Sequence, residues 1–120
     1  MDESLEEDVK ELEENLREKE SQQELFQRKV FVIGELHTRR ALLANRVGRV
    51  KSESMMRYDD LEHEARVEAE GLGKEMAGIS KSISDFRPES LADLDSFREE
   101  TSKRFDAVEE KILAAEGQLE

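Results

Sequence analysis

Leu25-Phe26-Gln27-Arg28-Lys29-Val30-Phe31-Val32-Ile33 is the stretch on which the fold turns. Wound as a helix, Phe26, Val30 and Ile33 fall on one line, whereas Phe31 and Val32 point to other faces. A helix that is apolar on more than one side needs more than one neighbour, as in a bundle of three or four helices. The rival reading is a short β-strand, because Val-Phe-Val-Ile is rich in strand formers and Gly34 follows it. The pattern on both sides favours the helix.

Upstream, Leu5, Val9, Leu12 and Leu16 are spaced 4-3-4, and the same rhythm reaches Phe26 through Lys19 and Gln23. This is a narrow coiled-coil seam, interrupted by polar residues that weaken packing and can fix register. Downstream, Leu36, Leu43 and Val47 lead into Val50, Ser54, Tyr58, Leu61, Ala65, Ala69 and Leu72. These step in an 11-residue rhythm, which suits straight rather than left-handed packing. Met76, Ile79, Ile83 and Phe86 carry the line on past Gly71, Gly73 and Gly78, a weak zone where the helix could be interrupted.

The firmest break is Phe86-Arg87-Pro88-Glu89. Proline suits the first position of a helix, and Phe86 and Leu91 are spaced as a hydrophobic staple. From Phe86 to Leu91 the apolar line jumps by about 140°, so one seam cannot cross it. Leu91, Leu94, Phe105, Val108, Ile112, Ala115 and Leu119 then mark a final helix, with Arg98 and Thr101 as polar gaps. The expected layout is an acidic helical segment over 1–24, a long central helix over 25–83, a turn at 84–88 and a C-terminal helix over 89–120. The fold class is all-α: an elongated coiled coil, or a hairpin or bundle of long helices.

Composition supports this. Of 120 residues 42% are charged, 36% are hydrophobic and only 5% aromatic, too few aromatics for an ordinary compact core. Disorder is the competing class for so charged a chain, but disordered tracts do not hold apolar residues in phase. The chain has no cysteine, hence no disulfide frame and no thiolate site. No run approaches the roughly 20 apolar residues that span a bilayer. A cytoplasmic or nuclear location is expected.

The net charge of −12 is unevenly laid out. Residues 1–24 hold 11 acids and 3 bases, residues 25–57 hold 2 acids and 8 bases, and residues 58–120 hold 18 acids and 8 bases. Acidic ends should therefore lie against a basic middle, whether the chain's own or a neighbour's. Parallel, in-register pairing of two copies would stack acid on acid, so antiparallel packing is favoured.

No catalytic constellation is visible. His63-Glu64 begins like a zinc-protease motif, but Val67 stands where the second histidine is needed. His37 lacks partners of metal-site type, and no phosphate-loop glycine pattern occurs. No enzyme activity, metal or cofactor is expected. Arg28, Arg39, Arg46 and Arg57 recur at 11, 7 and 11 residues and so form a row along a helix. Such a row could grip nucleic acid or anionic lipid. The acidic flanks argue instead for pairing with acidic helices, leaving nucleic acid and membrane as lesser options.

The texture is similar to that of coiled-coil proteins of cytoskeletal and tethering assemblies, with no motif that names a family. The expected role is structural: oligomerising, spacing or docking other proteins, as a dimer or tetramer of helices. The expected assembly residues are Phe26, Val30, Ile33, Leu36, Leu43, Val47, Leu61, Leu72, Met76, Ile79, Ile83, Phe105, Val108 and Ile112. The alternative is a subunit of a hetero-oligomeric complex whose seam is completed by a different chain. Its sign is the set of polar seam residues, including Lys19 and Gln23, which fit poorly opposite themselves.

Overall fold

Helix α1, Asp2–Ser54, runs through the acidic segment, through Val30–Ile33 and past Gly34 and Gly48 without a break. At 1.5 Å per residue its 53 residues span about 80 Å. The computed structural model describes residues 2–119. Two shorter helices follow, α2 (Asp59–Asp85) and α3 (Leu91–Leu119), and the described residues contain no strand. The molecule measures 87 × 19 × 17 Å. Val30–Ile33 is helical, as the surrounding period implied.

The expected continuous helix over 25–83 is not found: the chain breaks at 55–58 and folds back. Nothing in Met55-Met56-Arg57-Tyr58 is a strong helix breaker, and the apolar line runs through it in phase. The signal lies in the charges. Lys51 occupies the last turn of α1, and Asp59, Asp60 and Glu62 occupy the first turn of α2. Bases at a helix C-terminus and acids at the next N-terminus match the helix dipoles on both sides of a turn. Tyr58 and Leu61, expected on the seam, consequently face solvent.

Helix α2 passes through Gly71, Gly73 and Gly78 uninterrupted. The second turn spans 86–90, and α3 starts at Leu91 rather than at Pro88. The Ser90 hydroxyl caps it by accepting the Asp93 N–H at 3.1 Å. Phe86, expected to staple onto Leu91, is half-buried. It stacks on Phe97 with ring centroids 3.8 Å apart and planes within 5° of parallel, pinning the turn to the body of α3.

The three helices form one bundle in which α2 is antiparallel to α1 and α3, and α3 runs parallel to α1. Cross-links between α1 and α3 keep a nearly constant offset: Arg28 to Asp95, Glu35 to Arg98, and Arg46 to Glu116. The main core holds Val32, Leu36, Leu43 and Val47 from α1, Leu72, Met76, Ile79 and Ile83 from α2, and Leu94, Phe105, Val108 and Ile112 from α3. A second cluster beneath the 55–58 turn contains Val50, Ala65, Ala69, Ala115 and Leu119. Its small residues let the helices approach closely near that end. Residues 2–24 of α1 have no partner helix and project from the other end as an arm.

Candidate helix-docking surface

Helix α1 carries two apolar lines, and they meet different fates. The inner line, Val32, Leu36, Leu43, Val47, Val50 and Ser54, is buried against α2 and α3. The outer line begins at Leu5, Val9, Leu12 and Leu16, and resumes at Phe26 and Val30 after Lys19 and Gln23. All six apolar members are exposed, Leu5 at 63% and Leu12 at 68%. Successive members sit three or four residues apart, so the stripe follows one side of the arm and continues onto the outside of the bundle. There Phe26, Lys29, Val30, Ile33, Gly34 and His37 line a shallow, largely apolar depression.

Of the residues expected to assemble the protein, Leu36, Leu43, Val47, Leu72, Met76, Ile79, Ile83, Phe105, Val108 and Ile112 are buried inside this one chain. Ile33 is partly buried and packs on the same core. Phe26, Val30 and Leu61 remain exposed. Most of the long stripe is thus satisfied within the chain; the part left open lies on the arm, at its root and, with Tyr58 and Leu61, at the 55–58 turn.

Three of the four arginines in the row, Arg28, Arg39 and Arg46, reach acids of α3. Arg28 meets Asp95 at 3.1 Å, and Arg39 pairs with Asp106. The Arg39 guanidinium also lies over the Phe105 ring, 5.2 Å from its centroid. Arg46 bridges Glu109 at 3.4 Å and Glu116 at 3.0 Å. The Glu116 hydrogen bond raises the Arg46 pKa above its ordinary value, against the opposing effect of desolvation. Arg57 lies in the first turn, apart from the other three, and is exposed. The acid–base–acid layout therefore finds much of its complement inside one molecule, with the basic segment of α1 against the acids of α3.

His37 is half-buried beside the depression, His63 is exposed, and no group of three or more potential metal ligands comes together among the described residues. Among the described residues no helix is long and apolar enough to cross a membrane. Compared with protein-family models, curated proteins and solved structures, the chain matches none.

Proposed function

We propose that this protein is a structural coupling element: a three-helix bundle that presents an arm to which helices of other protein segments dock. Its role is mechanical rather than catalytic, assembling, spacing or tethering what it binds, in the manner of cytoskeletal or tethering proteins. The observation that carries this is the unpartnered stripe from Leu5 to Val30. It is the side of a coiled coil whose other side is missing, next to a bundle whose own stripes are paired. Scattered exposed apolar residues need no explanation, but a stripe held in phase over this length does.

The test is to follow solution mass and far-UV circular dichroism of the full chain over a wide concentration range. The chain is measured alone and then mixed with a designed helical peptide bearing leucine at matching seam positions. A gain in mass and helicity, alone or with peptide, that is absent in Leu12→Asp supports the arm as a docking face. No change in either quantity, alone or mixed, overturns it.

A further inference from the structure

Granting the arm its role as a docking face, we infer that its occupant is a helix of a different polypeptide, basic along the flank of its apolar seam that lies against Glu6, Glu13 and Glu20. In heptad terms Leu5, Leu12, Lys19 and Phe26 fall at d, and Val9, Leu16, Gln23 and Val30 at a. The positions beside this seam are then Glu6, Glu13, Glu20 and Gln27 on one side, and Asp8, Asn15, Gln22 and Lys29 on the other. Flanking residues of this kind choose a coiled-coil partner through charge. Glu6, Asp8, Glu13 and Glu20 are all exposed. Among the described residues none of these four is held in an ion pair.

A second copy of the chain is a poor occupant in either direction. Two arms side by side and parallel would place Lys19 against Lys19 inside the seam and Asp8 beside Glu13 of the neighbour. Antiparallel arms would place Glu13 beside Glu20 on the same flank. Lys29, the one base beside the seam, lies at the root of the arm, where antiparallel pairing would set it by Asp8 and leave Glu13 and Glu20 uncompensated; Arg28, Arg39 and Arg46 are already engaged by Asp95, Asp106, Glu109 and Glu116. Charge complementarity therefore asks for lysine or arginine from outside the chain. In the middle of the arm the same logic runs the other way. Lys19 and Gln23 interrupt the apolar line, so the matching layer of the partner carries a carboxylate or an amide, which also sets the register.

Two designed helical peptides decide the matter. They share leucine and valine seam positions and a glutamate facing Lys19, and differ only in carrying lysine or glutamate along the flank that meets Glu6, Glu13 and Glu20. Binding to the full chain is followed by fluorescence anisotropy at low and high salt, with solution mass of the chain alone measured in parallel. The lysine peptide is expected to bind at least about tenfold more tightly at low salt, with the preference shrinking as salt screens it. Glu13→Lys combined with Glu20→Lys is expected to reverse the preference, and Leu12→Asp to abolish binding of both peptides. Equal binding of the two peptides overturns the basic partner while leaving the docking face intact. A dimer formed by the chain alone and lost in Leu12→Asp does the same, because the occupant is then a second copy. No peptide binding and no self-association removes the docking face itself.

Discussion

The first and second halves of α1 share one continuous helix and one apolar rhythm, yet they live in different surroundings. From Leu25 onward the helix is apolar on several sides, through Leu25, Phe26, Val30, Phe31, Val32 and Ile33, and two other helices pack on it. From Asp2 to Glu24 it has a single narrow line, and no helix of the same chain covers it. The comparison teaches that the period of a stripe states only that a helix must be met. In the stretch at 25–33 the chain itself meets Val32, with Leu25 and Ile33 partly covered, while Phe26, Val30 and Phe31 stay exposed. Energetically the halves differ as well. The bundle portion is held by burial, whereas the arm extends a helix already nucleated by the bundle, with little tertiary support.

The sharpest way to break this contrast is to truncate one residue in each half. Phe105→Ala empties a fully buried site facing α1, and is expected to lower stability by about 3–5 kcal/mol in chemical denaturation. Leu12→Ala on the free arm is expected to change it by less than about 0.5 kcal/mol. Comparable losses in the two variants would mean that the arm is packed on something in solution. A second measurement sharpens the boundary. Amide hydrogen exchange should be fast along residues 2–24 and slow over 32–50, with protection rising near Leu25. Uniform protection along α1 would contradict an unpartnered arm.

Smaller effects probe the charge pattern. Arg46→Met removes the pairing to Glu109 and Glu116 at the edge of the bundle and is expected to destabilise by about 1 kcal/mol or less, a difference that shrinks in high salt. An unchanged difference between low and high salt would show that packing of the aliphatic stem, not charge, is what Arg46 contributes. The smallest expected effect is a gain. Gly34 faces open space on the outside of the helix, so Gly34→Ala should stabilise by about 0.5–1 kcal/mol, read as a raised Tm. A loss there would mean that the depression beside Val30 is filled by something an added methyl displaces.

Much of the architecture was legible in the residues themselves. The all-α class followed from apolar spacing, and the bundle from the many-sided stretch at 25–33. The interruption near Pro88 could be read from its proline and its phase jump. The turn at 55–58 was hidden because Val50, Ser54, Tyr58 and Leu61 continue the rhythm across it. Only the change from Lys51 and Arg57 to Asp59, Asp60 and Glu62 marked it, and that is a dipole signal rather than a hydrophobic one. The candidate site was half legible. Phe26 and Val30 stood out as sticky, but Leu36, Leu43 and Phe105 looked equally available until α3 was seen lying parallel to α1. Helix direction depends on two turns at once, and seam period carries no information about it.

The parallel run of α1 and α3 has a consequence for force. The arm leaves one end of the molecule and Leu119 lies at the other, so tension between them is directed along the long axis. Such a pull slides α1 against its neighbours instead of peeling one helix off residue by residue. Arg28–Asp95, Arg39–Asp106 and Arg46–Glu116 would then be strained together, along with the interdigitated side chains between them. Shearing spreads a load over the whole length of contact, and resistance to it is governed by the unfolding rate rather than by equilibrium stability. Tugged by its arm, this slender protein has the geometry of a strap joint that yields all at once.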